Sequence, residues 1–343
     1  MSYLSNFGIG GVSDPVQFET GCKPGGNGEN LLVTDEKVPD RLPHMSELKA
    51  AGISDPVLAA SYAECKRLNS QHGKTYYLAT LLLPAAKRPF VHALYGFARY
   101  ADEIVDDLAS TLSAEEKAQA LKGWGEQAIA DIKNGASTDP IGRALVDTAR
   151  RFEIPIEHFE AFLHSMEMDL TVNEYETFDD LMEYVYGSAA VIGLQMVPVL
   201  GALSEEAYEA AKKLGIAFQL ANFIRDIGED LERGRIYIPI QDLARFGVSR
   251  EDLYKREISP KIIEAIKFQI ERVRELQREA SVGIEMLEPS SRPCIEAASE
   301  LYCGIVDEVE AIGYDIFNFR AKTSTWRRIK VALPAYVRAL KAR

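Results

Sequence analysis

The sequence predicts a single-domain, all-α protein, and three observations support that prediction. From Asp55 onward, apolar residues recur at spacings of three and four, which is the period of an amphipathic helix. Alternating runs of β-branched residues between turn signals, which are typical of strands, are missing from the same stretch of sequence. The chain has 343 residues, 47% of them hydrophobic and 27% charged, which is enough to bury a sizeable core.

The N-terminal segment differs from the rest of the chain because it is rich in glycine and proline, which suit neither helix nor strand. We interpret residues 1–45 as a flexible tail and residues 46–343 as the helical domain. The sequence shows no secretory leader with a basic start, an apolar stretch and a small-residue cleavage site. This favours a cytoplasmic protein.

Charge and composition exclude several classes of function. Lys and Arg total 39 against 52 Asp and Glu, giving a net charge of −13 that would repel a nucleic-acid backbone. We therefore expect no nucleic-acid partner. The four cysteines contain no C-x-x-C pair and the five histidines no H-E-x-x-H, so zinc-finger and zincin chemistry are not supported.

The first chemically informative segment, Phe90 to Asp107, is an apolar helix with one polar stripe. Tyr95, Arg99, Asp102 and Asp106 follow one another at intervals of four, three and four. Residues at these spacings lie above one another on a single helix face. The stripe ends in two carboxylates one turn apart.

The longest apolar stretch of the chain runs from Ser188 to Leu203. It is interrupted by Gln195 and Pro198 and is shorter than the ~20 residues that span a bilayer. The pattern predicts a buried, kinked helix.

The segment Ile216 to Leu231 repeats the design of the first stripe. Gln219, Asn222, Asp226 and Asp230 stack at intervals of three, four and four on an otherwise apolar helix. Two such stripes favour a shared chemical purpose over the alternative that they are solvated helix faces with incidental acids.

Paired carboxylates on apolar helices require a cation. Like charges at i,i+4 destabilise a helix even when exposed, and uncompensated charge in an apolar setting costs far more. Hard carboxylate oxygens without nearby thiols or imidazoles suit Mg²⁺, which completes its octahedron with water and substrate phosphates. Together with Arg99 and Arg225, the two aspartate pairs predict a diphosphate clamp.

These two segments resemble the signatures of the squalene/phytoene synthase family, most closely its bacterial phytoene synthases. The motifs are YGFARYADEIVDD at Tyr95–Asp107, and QLANFIRDIGED at Gln219–Asp230 followed by LERGRIYIP. The resemblance extends from about His72 to about Tyr314. It implies an isoprenoid synthase fold, all α-helical, in which the two aspartate-rich helices face each other across a central cavity.

The resemblance also assigns roles to the polar stripes. The residues that it makes Mg²⁺ ligands, with Mn²⁺ as an alternative metal, are Asp102, Asp106, Asp226 and Asp230. The residues that it places against diphosphate oxygens are Arg99, Gln219, Asn222 and Arg225. Glu103 and Glu229 are weaker candidates because they sit about 100° from the stripes.

Further assignments rest on the resemblance alone. Gln71–Tyr77 (QHGKTYY) resembles the family's early flap motif. The implied substrate contacts are Lys74, Tyr76, Tyr95 and Tyr302, and Tyr186 is the implied cavity tyrosine whose ring stabilises a carbocation. For each tyrosine, core packing is the alternative interpretation.

The sequence departs from the family pattern near its C-terminal part. The basic residue expected five positions after Tyr314 is replaced by Phe319, and Arg320 follows it. We expect Arg320 to supply the missing diphosphate contact.

The activity that the resemblance implies is the head-to-head condensation of two geranylgeranyl diphosphates to phytoene, through prephytoene diphosphate and without NADPH. One alternative is a squalene- or dehydrosqualene-type synthase that uses farnesyl diphosphate. An alternative from another class is a non-catalytic lipid-binding or assembly relative, although all four aspartates are intact. A chain-elongating prenyltransferase would need D-D-x-x-D, and a di-iron protein would need Glu-x-x-His; neither motif is present.

The C-terminal stretch, Phe317 to Arg343, contains eight basic residues and no acid. Apolar residues are interleaved with the cations, which is the composition of a helix that lies in a membrane interface. We therefore expect peripheral membrane contact here. The alternative is a terminal helix that packs Trp326 and Leu333 against the body of the protein.

Overall fold

A computed structural model describes residues 44–106 and 112–342 of the chain. The sixteen helices in these ranges are α1 (His44–Ala50), α2 (Pro56–His72), α3 (Lys74–Thr80), α4 (Arg88–Asp106), α5 (Ala114–Asn134), α6 (Pro140–Arg151), α7 (Ile156–Met168), α8 (Phe178–Val185), α9 (Val191–Leu200), α10 (Glu206–Glu232), α11 (Ile240–Arg245), α12 (Arg250–Tyr254), α13 (Pro260–Ser281), α14 (Arg292–Cys303), α15 (Ile305–Ala311) and α16 (Thr325–Lys341). These ranges hold no β-strand, only two isolated bridges. The predicted all-α fold is confirmed.

The predicted flexible tail, residues 1–45, falls almost entirely outside the described ranges. The first described helix, α1, begins at His44. The division into a tail and one helical domain stays a prediction.

Local signals explain where the helices begin and end. Ser113 caps α5 by accepting a hydrogen bond from the Glu116 amide, and the Glu116 carboxylate accepts one from the Ser113 amide in return. Gly135 ends the same helix in the left-handed conformation, with φ of 74°. Pro140 opens α6, where its missing N–H costs nothing.

The predicted buried helix around Ser188 to Leu203 is part of a longer helical run. A π-helical turn, Tyr186–Ala190, joins α8 to α9, and Pro198 lies inside α9. The run Phe178–Leu200 is long and apolar enough to cross a membrane, and 61% of its most apolar window is buried inside the protein. It packs against α7 and α10.

Helices α4 and α10 carry the two polar stripes and sit on either side of α9. Helix α4 also packs against α2, α5, α6 and α7, while α10 packs against α13, α14 and α15. Most of the circumference of each helix is buried, as their apolar composition predicts. The stripes are thus held inside the bundle.

Close helix packing depends on glycine at the π-helical turn. A Cβ atom on Gly187 would lie 2.0 Å from the carbonyl oxygen of Ala161 on α7. In contrast, a Cβ atom on Gly123, on the exposed face of α5, would meet no atom within 4 Å.

We predict that Gly187→Ala destabilises the protein by about 1–3 kcal/mol, because α7 must move away from the turn. The matched control, Gly123→Ala, should stabilise it by about 0.5–1 kcal/mol through helix propensity alone. Urea unfolding of both variants measures the difference. Equal unfolding midpoints would contradict the close contact.

Candidate active site

The stripe on α4 is buried and its carboxylate is paired with an arginine. Asp102 is fully buried, and its Oδ2 accepts a hydrogen bond of 2.9 Å from Nη1 of Arg99. The Nη2 atom of Arg99 donates to Oε1 of Glu103 at 3.3 Å. Asp106 is the last residue of α4, and its side chain lies outside the described part of the structure.

The stripe on α10 is buried along its whole length. Gln219, Asn222, Asp226 and Asp230 are each no more than 2% exposed. Among the described residues, neither Oε1 of Gln219 nor either amide atom of Asn222 has a hydrogen-bond partner. Buried polar atoms usually have partners, so these amides indicate a site for a polar ligand.

Two arginines from different parts of the chain hold Asp226. Nε and Nη2 of Arg225 donate to its two carboxylate oxygens at 2.8 and 2.6 Å. Nε of Arg320 donates to Oδ1 at 2.8 Å and lies 3.2 Å from Oε1 of Glu229. Arg320 therefore reaches the second aspartate stripe, whereas the neighbouring Phe319 is exposed.

The pKa values of the two aspartates of α10 are shifted in opposite directions. Burial alone would raise the pKa of Asp226, but Arg225 and Arg320 overcome this effect and lower it. Burial raises the pKa of Asp230 to about 7, and the charge of Asp226 adds to the rise. A cation arriving beside Asp230 would displace its proton, because metal binding favours the carboxylate form.

The residues fit a divalent cation that is held partly by its substrate. Across residues 44–106 and 112–342, no three His, Cys, Asp or Glu side chains lie close enough together to hold an ion. Asp102, Asp226 and Asp230 therefore do not form a complete cage. Mg²⁺ commonly takes only one or two carboxylates and fills its other positions with water and phosphate oxygens, so the donor set still suits it.

An apolar cavity continues from the polar stripe along the same helix. The space between its lining residues is about 890 Å³, a volume that includes open solvent. Its α10 wall spans Ala207 to Phe218, about 16 Å of helix. Small residues line this wall and the facing segment, namely Ala207, Ala210, Ala211, Gly215, Ala280 and Gly283. Some of them let the helices approach closely, since a Cβ atom on Gly283 would lie 2.0 Å from that of Ala210.

Aromatic residues join the cavity to the stripes. Tyr76 lines the cavity, and its ring stacks on that of Tyr95 with centroids 5.5 Å apart. Tyr302 lines the opposite wall, 5.0 Å from the ring of Phe218. The roles of Tyr76 and Tyr302 as substrate contacts stay predictions. The side chain of Lys74 lies outside the described part.

The prediction that Tyr186 lines the cavity is wrong. Tyr186 is 41% exposed, and its ring lies 5.9 Å from Nζ of Lys212. Two residues earlier, Tyr184 is fully buried. Residues two apart point about 200° away from each other around a helix, so only one of the two tyrosines can face inward.

A buried network around Asp169 was not predicted from the sequence. Asp169 accepts hydrogen bonds from the hydroxyls of Tyr184, at 2.9 Å, and Tyr237, at 3.1 Å. Nη2 of Arg235 donates to the backbone oxygen of Asp169 at 2.8 Å. The RGRIYIP motif contains Arg235 and Tyr237 and so pointed to this region, but nothing in the sequence linked it to Asp169.

The network fixes the end of α10 that carries Asp230. The Arg235 amide donates to the backbone oxygen of Asp230 at 2.9 Å, and the Ile236 amide donates to that of Asn173 at 2.8 Å. The segment after α10 is therefore tied both to the helix end and to the chain that follows α7. Asp169 acts as a positioning residue for the second stripe.

The helical arrangement is that of the isoprenoid synthases. A dehydrosqualene synthase crystal structure superposes with a TM-score of 0.75 at 26% identity, covering 87% of this chain and 100% of that one. The squalene synthase HpnC from Alicyclobacillus acidocaldarius superposes with a TM-score of 0.71 at 26% identity, covering 77% and 98% of the two chains.

Sequence comparison identifies the family. Residues 69–327 match the model of the squalene/phytoene synthase family, and the chain belongs to that family. The phytoene synthase of Arthrospira platensis is 38% identical over 81% of this chain and 93% of its own. Phytoene synthase 2 of Solanum lycopersicum is 37% identical over 83% and 92%. The family consists of prenyltransferase-type enzymes.

We predict that Asp169→Asn lowers the free energy of unfolding by about 1–3 kcal/mol, because two buried hydroxyls lose a charged acceptor. Turnover should fall as well, since the end of α10 loses its support. The matched control is Asp179→Asn, on the exposed first turn of α8, which should change stability by less than about 0.5 kcal/mol. Thermal melts that coincide for all three proteins would contradict the role of the network.

Proposed function

We propose that this protein is a Mg²⁺-dependent prenyltransferase that condenses two geranylgeranyl diphosphates head to head to phytoene. The observation that carries the proposal is the continuity of α10, which bears buried, arginine-paired carboxylates at one end and the apolar cavity at the other. This arrangement suits a substrate with a charged head and a long hydrocarbon tail. Relatives named phytoene synthase, at 36–38% identity, support the choice of product.

The polar end binds the diphosphates. Arg99, Arg225 and Arg320 each neutralise a carboxylate. A guanidinium carries five N–H donors, so the same group can bind both a carboxylate and a phosphate oxygen. The amides of Gln219 and Asn222 supply donors and acceptors that lack other partners in the described ranges. Mg²⁺ held by Asp102, Asp106, Asp226 and Asp230 would stabilise the charge that develops on the leaving diphosphate.

The apolar end protects the reaction. When the C–O bond of the first substrate breaks, diphosphate leaves and an allylic cation remains. The double bond of the second substrate attacks it and a proton is lost, which gives the cyclopropylcarbinyl diphosphate. A second ionisation, rearrangement and proton loss give phytoene, so no reductant is needed. The mostly apolar lining of the cavity limits the access of water to the cation, and the rings of Tyr76 and Tyr302 on this lining would stabilise it by up to ~2 kcal/mol.

The choice of the twenty-carbon substrate rests on two observations. The mostly apolar lining of the cavity extends along about 16 Å of α10, which suits a hydrocarbon chain. Identity to the phytoene synthases, at 36–38%, exceeds the 26% shared with the structurally similar dehydrosqualene and squalene synthases. We propose a cytoplasmic enzyme whose partners are isoprenyl diphosphates.

Product analysis tests the activity. Purified protein incubated with Mg²⁺ and geranylgeranyl diphosphate, without NADPH, should release phytoene, and a chelator should abolish the reaction. Turnover of farnesyl diphosphate alone, or an absolute need for NADPH, would instead identify a squalene-type enzyme. No turnover of either substrate would favour a non-catalytic relative.

We predict that Arg320→Ala lowers kcat/KM by about 10- to 100-fold, because a hydrogen bond to a charged group is worth about 1.5–3 kcal/mol. The control is Phe319→Ala at the exposed neighbour, which should keep near wild-type kinetics. Steady-state assays of both variants measure the effect. If Arg320→Ala retained full activity, other residues would have to serve this corner of the site.

A further inference from the structure

Helix α16 has two apolar faces that point in nearly opposite directions. The inner face consists of Val331, Ala335 and Ala339, which are buried where α16 packs against α14. The outer face consists of six large side chains that are 44–66% exposed, namely Trp326, Ile329, Leu333, Tyr336, Val337 and Leu340. Trp326 and Leu333 are therefore not packed against the body of the protein. The alternative interpretation of the sequence required that packing.

Four of the five cations of α16 fall into two groups, and the fifth, Arg328, is half-buried. Arg327 pairs with Asp307 and Glu308 on α15, and Arg338 pairs with Glu296 on α14, so these two arginines fasten the helix to the body. Lys330 and Lys341 are exposed and form no ion pair with any described residue. At 100° per residue, both lysines lie along one edge of the outer face.

The outer face is too regular and too apolar for an ordinary solvated surface. Its members recur at three- and four-residue spacing over the whole helix, so they form one contiguous stripe. Such patches on otherwise polar surfaces mark sites of interaction with proteins or membranes. An apolar stripe edged by lysines and containing tryptophan and tyrosine is typical of helices that lie in a membrane interface.

We propose that the outer face of α16 docks the enzyme on an anionic lipid surface, with the helix lying in the interface and not crossing it. Charge complementarity favours this occupant, because Lys330 and Lys341 border the outer face without an ion pair to any described residue, and Phe317 to Arg343 contains no acid. The acidic remainder would be repelled by the same lipid, so α16 also sets the orientation of the docked enzyme. A second copy fits less well, since the same face of a two-fold partner carries no acid to pair with Lys330 and Lys341.

The docked helix would lie one helix away from the cavity. Helix α14 packs against α16 on one side, while Ile295, Ala298 and Tyr302 on its other side line the cavity. Packed helices are about 8–10 Å apart, so a hydrocarbon product would have a short path to lipid. This last step rests on the proposed function, whereas the docking itself does not.

Flotation of the full-length protein with vesicles tests the docking without substrate. The protein should float with vesicles of phosphatidylcholine and phosphatidylglycerol at low ionic strength, and less with phosphatidylcholine alone. Leu333→Asp should lower the partition coefficient about tenfold. Its matched control is Leu203→Asp, because Leu203 lies in the loop between α9 and α10 and both leucines are 61% exposed; this variant should float like the wild type.

A second measurement reports contact with lipid directly. Brominated lipid tails should quench tryptophan fluorescence in the wild type and much less in Trp326→Phe, which leaves only Trp124. Two flotation results would overturn the proposal. One is equal flotation of Leu333→Asp and wild type. The other is that neither protein floats, which is expected if a second copy or residues 1–43 cover the outer face. Loss of a dimer in Leu333→Asp would identify the second copy as the occupant.

Phytoene synthesis from detergent-dispersed substrate should be unchanged in Leu333→Asp, so failure of docking and failure of the activity give different results.

Discussion

Buried negative charge on α10 is the constraint on which the rest of this structure depends. Removing a carboxylate from water costs several kcal/mol unless partners compensate it. Asp226 is compensated by Arg225 beside it and by Arg320, which lies 94 residues further along the chain. The segment between α15 and α16 must therefore pass over the end of α10. Asp230, with a pKa raised to about 7, is left less compensated, and this difference makes the end of the helix receptive to a cation.

The same helix separates polar from apolar chemistry by position. Its C-terminal half carries the amides and carboxylates, and its N-terminal half carries the small residues of the cavity wall. One rigid helix fixes the distance between the two halves. A substrate with a charged head and a hydrocarbon tail can therefore contact both halves without a conformational change of the protein. The Asp169 network holds the polar end in place, and the close contact at Gly187 keeps the neighbouring helices near α10.

Helical period and motif spacing were sufficient to predict the all-α fold and both polar stripes, since each depends on local sequence. The expectation that Arg320 serves the site came from the family resemblance. Period and spacing were insufficient where the outcome depends on distant contacts. The sequence could not show which tyrosine of Tyr184-Val-Tyr186 faces inward, because α7 and Tyr237 decide it. Asp169 was missed for the same reason. For α16 the composition was informative, but only packing against α14 shows which apolar residues are covered.

The distribution of charge differs between the buried polar stripes and the outer face of α16. A protein with a net charge of −13 has little electrostatic reason to approach an anionic surface, and its buried carboxylates demand cations of their own. Inside the bundle, arginines neutralise these carboxylates. Two arginines of α16, Arg327 and Arg338, pair with Asp307, Glu308 and Glu296. What remains on the outside of α16 is a short row of lysines beside exposed aromatic and aliphatic side chains. The small inner face would be enough to close the bundle, so the large side chains on the opposite face are not explained by packing. The proposed lipid contact would account for both their apolar character and the lysines beside them.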